Sequence, residues 1–154
     1  QMSVLGFVLV VFGSFGRIWA SLYIEGNKTK NLITAGPFSM VRNPLYFFSL
    51  IMLLGFSLAL KAIYLPLALL LIFVLFHVPT IANEERKLRK NHGDKFESYM
   101  KSTPRLIPNI FKYKRPETGE KVLVKISRIN GVLIEVIGYL FLYTLIDIIY
   151  FILD

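Results

Sequence analysis

The sequence contains no cysteine, only two histidines and a single tryptophan among its 154 residues. Without cysteine, neither a disulfide nor a thiolate metal site can form. Acidic residues are also scarce, with 10 Asp and Glu against 18 Lys and Arg, so the formal net charge is +8. Apolar residues are abundant: 55% of the chain is hydrophobic and the mean hydropathy is +0.56. Soluble domains contain about 45–50% apolar residues, so the composition favours a membrane protein.

The apolar residues lie in four long blocks, at 2–23, 45–60, 62–82 and 129–153. A helix that crosses a bilayer needs about 20 mostly apolar residues. We therefore predict an all-α integral membrane helical bundle, a single domain over 1–154 with about four transmembrane helices. The second and third helices are predicted to form a tight hairpin over about 44–82, interrupted at Lys61. Pro66 suits the start of the third helix, whereas Pro79 is expected to kink it or to end its lipid-facing part.

Positive charge is concentrated in one part of the chain, since 13 of the 18 Lys and Arg lie between Arg86 and Arg128. This charge flanks apolar blocks, so the positive-inside rule accounts for it better than nucleic-acid binding does. The rule places the loops around 25–43 and 83–128 in the cytoplasm. We expect a multi-pass membrane protein whose partner is the lipid bilayer and not a nucleic acid. The block that begins at Met2 is too long and too poorly flanked for a signal peptide.

The turn-rich stretch 36–46 leads directly into the second apolar block. Asn43 is a suitable helix N-cap, because its side chain can accept a backbone N–H that is otherwise unpaired. Pro44 then suits the first helical position. Pro37 and Pro44 both favour an extended backbone at the preceding residue. The sequence therefore predicts a shaped loop at the start of a membrane helix.

Apart from Asp147 near the outer end of the last block, two charges lie inside the apolar blocks, Arg17 in the first and Glu135 in the last. Intramembrane charges are costly unless they are paired, so these two side chains are predicted to be neighbours. Gly6, Gly13 and Gly16 in the first block are small enough to allow close helix approach in lipid.

His77 lies within the third apolar block. A histidine partnered within its own helix is favoured over a metal ligand, because His92 is distant and no second ligand stands at i+3 or i+4. No metal site is predicted.

Five polar segments, taken in order, resemble one family of integral membrane enzymes. They are Gly36-Pro37-Phe38, Arg42-Asn43-Pro44-Leu45-Tyr46, Glu84-Glu85-Arg86-Lys87-Leu88, residues 92–99 and residues 103–108. The family is that of the isoprenylcysteine carboxyl methyltransferases and related phospholipid methyltransferases. The resemblance covers about residues 28–110, and it lies in the order and spacing of the segments rather than in any single one.

This resemblance implies S-adenosylmethionine as cofactor and S-adenosylhomocysteine as product. It implies a cytoplasmic pocket, with a lipophilic acceptor arriving from the bilayer. Arg42, Tyr46 and Glu84 are the candidate catalytic residues, with a one-residue slip to Glu85 left open. The candidate cofactor-binding residues are Lys30, Asn31, Leu32, Ile33, Gly36, Phe38, Asn43, Pro44, Tyr46, Glu84, Leu106 and Ile107.

These residue types suit the implied cofactor. An aromatic face such as that of Phe38 or Tyr46 can stabilise a sulfonium cation by roughly 0.5–2 kcal/mol. A carboxylate such as that of Glu84 can accept hydrogen bonds from ribose hydroxyls or an ammonium group. Methyl transfer to an anionic acceptor needs no strong base and depends on alignment, which can supply about 7–11 kcal/mol.

The sequence departs from the family pattern at two positions. Asn43 replaces the usual histidine of the Arg-His-Pro motif, and Thr80 stands where the prenylcysteine enzymes have an arginine that resembles the anchor of the substrate carboxylate. The acceptor is therefore left open between a prenylcysteine-like carboxylate and a phospholipid or other lipid head group. A non-catalytic membrane module that binds a lipid or a partner protein is the alternative. The last apolar block has no recognised counterpart in the family.

Overall fold

A computed structural model describes residues 2–24, 31–60, 64–116 and 126–153, and these residues are helical with irregular connections. Lys30 and Lys61 lie outside the described residues. The six α-helices are α1 (Met2–Ile24), α2 (Pro37–Met40), α3 (Pro44–Ala59), α4 (Leu65–His92), α5 (Asp94–Ser102) and α6 (Ile126–Leu153), with a 3₁₀ turn at Ile110–Lys112. In the described ranges no strand forms, and Gly36 and Lys114 make an isolated antiparallel bridge. The prediction of an all-α membrane bundle is confirmed.

Three of the described helices, α1, α4 and α6, are long and apolar enough to cross a membrane. The fourth apolar helix, α3, has 16 residues, which at 1.5 Å per residue gives about 24 Å against a hydrocarbon core of about 30 Å. The predicted count of four spans is therefore not confirmed, since three of the described helices are long enough to cross a membrane. The chain is a multi-pass membrane protein.

Helix α1 packs mainly against α3, and its glycines make this contact close. A Cβ at Gly6 would lie 2.7 Å from the Gly55 carbonyl oxygen, and one at Gly13 would lie 2.8 Å from the Phe48 carbonyl oxygen. At Gly16 the added atom would enter the Phe48 ring. Because no side chain separates the backbones, the two helices gain the van der Waals contact that drives helix association in lipid.

Helix α6 is attached to α1 and α3 by a polar cluster. Arg17 Nη2 lies 3.0 and 2.9 Å from the two carboxylate oxygens of Glu135, as the sequence predicted. Arg17 Nη1 also donates to Ser49 Oγ at 2.7 Å, and the Tyr139 hydroxyl donates to Glu135 Oε1 at 3.0 Å. The intramembrane charges are therefore paired and hydrogen-bonded, which is the condition for tolerating them in lipid.

Contacts along the helices fix their relative directions. Residues 16 and 6 of α1 meet residues 48 and 55 of α3, so the two helices are antiparallel. Tyr46 near the start of α3 reaches Glu84 in the second half of α4, so α3 and α4 form the predicted antiparallel hairpin. The end of α1, the start of α3 and the polar end of α4 consequently lie on one side of the bundle.

Pro79 does not end α4, which continues to His92 at the polar end. Gly93 then adopts a φ of +50°, a conformation that side chains rarely tolerate, and α5 begins at Asp94. Helix α4 therefore runs on beyond its apolar part, and the turn at Gly93 connects it to the short helix α5. This turn folds α5 back towards the start of α3.

Candidate functional site

Glu85 is the centre of a buried ionic network at the polar end of the bundle. Its Oε1 lies 3.3 Å from Arg42 Nε and its Oε2 lies 3.1 Å from Arg105 Nε. Only 13% of the Glu85 side chain and 13% of the Arg42 side chain are exposed. Asn43 Nδ2 donates to Glu85 Oε1 at 3.2 Å. Both carboxylate oxygens of Glu85 are thus occupied by residues of the fold itself.

The predicted side-chain cap at Asn43 is wrong. Asn43 does occupy the N-cap position of α3, with Pro44 beginning the helix, but its side chain makes no cap hydrogen bond. Instead Nδ2 donates to Glu85 Oε1 and, at 3.0 Å, to the Arg105 carbonyl oxygen. A charged acceptor such as the Glu85 carboxylate forms a stronger hydrogen bond than a neutral one. The Asn43 side chain therefore bonds to Glu85 and does not cap its own helix.

The segment 103–108, which consists of bends and irregular backbone, packs against this corner. The Arg42 N–H donates to the Pro104 carbonyl at 2.9 Å, and the Asn109 N–H donates to the Met40 carbonyl at 2.9 Å. These bonds, together with the Arg105–Glu85 ion pair, hold the segment against the loop before α3.

Glu84 points in a different direction from its neighbour Glu85. The Tyr46 hydroxyl donates to Glu84 Oε1 at 3.2 Å. The Tyr46 ring also meets the His77 ring edge to face, at 5.5 Å between centroids. His77 is partnered within its own helix, as expected: it stacks on Phe73 at 4.3 Å, and its Nδ1 lies 3.2 Å from the Phe73 carbonyl oxygen. The proline-containing corner and the acidic end of α4 therefore meet on one side of the bundle.

A cavity of about 310 Å³ opens beside Glu84. Its walls come from the end of α1, the segment 31–33, α2, α4 and α5. The lining residues are Ile24, Asn31, Leu32, Ile33, Phe38, Arg42, Glu84, Lys87, Leu88, Asn91 and Tyr99. This volume lies at the lower end of the range of about 300–1,000 Å³ for small-molecule sites, and the mixture of apolar walls with a few polar groups is typical of them.

The sequence-predicted site residues divide into two groups. Asn31, Leu32, Ile33, Phe38, Arg42 and Glu84 line the cavity. Tyr46 adjoins it through Glu84. The others do not line it: Gly36, Asn43, Pro44, Leu106 and Ile107.

Four of the five residues outside the cavity have other surroundings that account for their position. Gly36 supports the corner, because its N–H donates to the Lys114 carbonyl at 2.8 Å and its φ of +60° places it against the Tyr23 ring. Asn43 belongs to the Glu85 network, and Pro44 is fully buried at the start of α3. Ile107 is 77% exposed and lines a separate cavity of about 610 Å³.

Five cavity-lining residues lie outside the predicted set, and one of them, Ile24, is the last residue of α1. Lys87, Leu88 and Asn91 follow Glu84 at i+3, i+4 and i+7, so they share one face of α4. Once Glu84 is taken as a site residue, this helical spacing alone predicts the other three residues on its face of α4. Tyr99 comes from α5, and only the fold-back at Gly93 brings it to the cavity.

Tyr99 joins the cavity wall to the corner. Its hydroxyl is buried and donates to the Phe38 carbonyl oxygen at 2.6 Å. Burial raises the pKa of Tyr99 above its ordinary value of 10.0, with Arg42 opposing the rise and Glu85 adding to it. The neutral hydroxyl is therefore the form that the fold stabilises.

This raised pKa gives a pH-dependent prediction. Below pH 10 both states keep the proton, and Tyr99→Phe should lower the free energy of unfolding by about 1 kcal/mol through the lost hydrogen bond. As the pH rises above 10 towards the raised folded pKa, the unfolded chain ionises first, so the contribution of Tyr99 is lost. Denaturation of the wild type and the variant in detergent from pH 8 to 11 should show the difference shrinking. A constant difference would contradict the assignment.

The order of these segments along the chain agrees with a family model. A model described as phospholipid methyltransferase matches residues 2–95, which include α1 to α4 and most of the cavity wall. The chain belongs to the phospholipid methyltransferase family. This family is one of the isoprenylcysteine carboxyl methyltransferase-like membrane methyltransferases, so the resemblance found in the motifs is confirmed. Members of the family generally use S-adenosylmethionine.

Two curated relatives carry names from metal resistance. The chain is 33% identical over 113 residues to the nickel-cobalt-cadmium resistance protein NccN of Alcaligenes xylosoxydans xylosoxydans, which covers 73% of this chain and 53% of that protein. It is 33% identical over 114 residues to the cobalt-zinc-cadmium resistance protein CzcN of Cupriavidus metallidurans, covering 74% and 52%. The chain thus spans about half the length of these relatives. No solved structure matches it significantly.

Among the described residues, no three His, Cys, Asp or Glu side chains are grouped so that they could hold a metal ion. The charged groups near the cavity are one carboxylate and two cations, those of Glu84, Arg42 and Lys87.

Proposed function

We propose that the cavity beside Glu84 binds S-adenosylmethionine and that the chain transfers its methyl group to a lipophilic acceptor at the cytoplasmic face of the membrane. One observation supports this proposal above the others. The segment that contains Leu32, Ile33 and Phe38 is far in the sequence from the Glu84 face of α4, yet both line one cavity. These are family-like segments, and the family is one of membrane methyltransferases.

The residues of the cavity fit the chemical parts of this cofactor. Leu32, Ile33 and Leu88 offer an apolar surface for a planar base. Glu84 offers a carboxylate to hydroxyl or ammonium groups, and Lys87 offers a cation to a carboxylate. When bound, S-adenosylmethionine supplies an electrophilic methyl group on a sulfonium centre.

The work left to the protein is orientation and exclusion of water. The Tyr46–Glu84 hydrogen bond holds the carboxylate in a fixed position at the side of the hairpin. Alignment of the cofactor and the acceptor within one site can supply about 7–11 kcal/mol of the barrier. Tyr46 lies beside the α3–α4 contact, so an acceptor dissolved in the bilayer would arrive there.

Thr80 bears on the class of acceptor. Where the prenylcysteine enzymes have an arginine, the Thr80 hydroxyl donates to the Phe76 carbonyl oxygen at 2.9 Å, within its own helix. It offers no positive charge to an acceptor carboxylate. We therefore propose a lipid head group as acceptor in preference to a prenylcysteine carboxylate.

Calorimetric titration with S-adenosylhomocysteine tests the cofactor site. The detergent-solubilised chain should bind it, and Glu84→Gln should weaken binding at least tenfold, because a charge-assisted hydrogen bond is lost. Glu97→Gln is the matched control, since Glu97 pairs with Arg89 on the exposed surface and lies outside the cavity. It should change affinity less than twofold.

Two results would contradict this proposal. If the folded wild type does not bind S-adenosylhomocysteine, the cofactor assignment is wrong. If Glu84→Gln leaves the affinity unchanged, Glu84 does not contact the ligand. Binding without turnover would point to the non-catalytic module. Incubation with methyl-labelled cofactor and a total lipid extract distinguishes these cases, because only an enzyme labels a lipid.

A further inference from the structure

The cavity beside Glu84 is called the cofactor cavity below. A smaller cavity lies on the opposite face of α4. It has a volume of about 170 Å³ and is lined by Ala82, Glu85, Arg86, Arg89, Met100 and Arg105. At 100° per residue, the positions 82, 85, 86 and 89 lie on the side of the helix away from 84, 87, 88 and 91. We call this second cavity the arginine cleft.

The arginine cleft has an excess of positive charge. Arg105 and the neighbouring Arg42 share Glu85, and Arg89 pairs with Glu97 at 2.9 Å. Arg86 forms no ion pair with any side chain that the structure describes. Four guanidinium groups are thus accompanied by two carboxylates, so the cleft is suited to an anion.

Position along α4 indicates where this anion comes from. The apolar part of the helix ends at Ala82. Arg86 and Arg89 therefore lie about 6 and 10 Å beyond the end of the hydrocarbon-facing part, at 1.5 Å per residue. The interfacial layer of a bilayer is roughly 5–8 Å thick on each side, so Arg86 lies at the level of the lipid phosphates and Arg89 lies just beyond it.

We propose that the arginine cleft binds the phosphodiester group of a membrane phospholipid. Guanidinium groups match phosphate oxygens in geometry and charge. Ala82 and Met100 line the cleft and supply apolar surface against which the first carbons of the lipid can pack. The site is separate from the cofactor cavity, and it stands whether or not the chain methylates anything.

Binding of short-chain lipids to the full chain in maltoside detergent tests this site. Dioctanoyl phosphatidylglycerol should bind the wild type, and Arg86→Gln should weaken it at least tenfold. Arg86 is exposed and makes no ion pair among the described residues, so the variant should fold normally. Lys95→Gln is the matched control, because it removes the same charge from an exposed position outside both cavities. It should change affinity less than twofold.

Three further measurements decide the nature of the ligand. Dioctanoylglycerol, which lacks the phosphate, should bind at least tenfold more weakly; equal binding would overturn the proposal. Inorganic phosphate should also bind at least tenfold more weakly, and equal affinity would assign the site to a free ion instead of a lipid. If Lys95→Gln lost as much lipid affinity as Arg86→Gln, the binding would depend on net charge and not on the cleft, which would overturn the proposal. Affinity for S-adenosylhomocysteine should stay within twofold in Arg86→Gln, which separates this test from that of the cofactor site.

Discussion

Glu85→Ala is expected to lower the free energy of unfolding by about 3–5 kcal/mol, the cost of removing one partner from a buried ion pair. The carboxylate lies between Arg42 and Arg105 and also accepts from Asn43. Without it, the largely buried Arg42 guanidinium keeps its charge but loses its carboxylate partner. The measurement is chemical denaturation of the wild type and the variant in the same detergent.

The matched controls for this prediction are two other glutamates. Glu84→Gln should leave the free energy of unfolding within about 1 kcal/mol, because Glu84 is exposed at the cavity and accepts one bond from Tyr46. Glu97→Ala removes an exposed ion pair, and such pairs contribute roughly 0–1 kcal/mol. If all three variants lost the same stability, the ranking of Glu85 as the structural glutamate would be incorrect.

The second large effect is expected inside the membrane. Arg17→Gln leaves the Glu135 carboxylate without its cation in lipid, where an isolated charge costs roughly 2.5–3.5 kcal/mol at the bilayer centre. The pair lies towards one end of α1, so we expect a loss of about 2 kcal/mol. Thermal or chemical unfolding in detergent, and in a lipid nanodisc, would measure it.

The double variant Arg17→Gln, Glu135→Gln is the control for the charge. Removing both charges should recover most of the lost stability, because neither side chain is then an unpaired ion, and the two amides can still bond Ser49 and Tyr139. Losses that simply add in the double variant would mean that the two side chains do not depend on each other. That result would contradict the pairing of α6 with α1.

The adjacent residues Glu84 and Glu85 thus have different roles in this chain. Glu85 faces inward and joins the loop before α3 to the segment 103–108. Glu84 faces the cavity and is held by Tyr46. A loss of ligand affinity at position 84 without loss of stability, and the reverse at position 85, would be the experimental signature of this division.

Much of the fold was determined by the sequence alone. Long apolar blocks predict membrane helices because every backbone group must be satisfied within lipid, and only a helix does this locally. The Arg17–Glu135 pair followed from the cost of an isolated charge in the same medium. The predicted hairpin agrees with the contact between Tyr46 and Glu84, because antiparallel helices bring the start of the first beside the end of the second. Each of these rests on local periodicity or on a strong energetic constraint.

Only the tertiary structure decided which of the two glutamates faces the cavity and what Asn43 does. Helix positions 84 and 85 differ by 100°, so the outcome depended on which side of α4 meets α3. The Asn43 amide could bond its own helix or a distant carboxylate, and only the folded chain places Glu85 within 3.2 Å of it. Likewise, Tyr99 reaches the cavity and Leu106 and Ile107 do not, because the turn at Gly93 sets the path of everything that follows. Contacts between residues distant in sequence depend on packing geometry, which residue types and spacing do not specify.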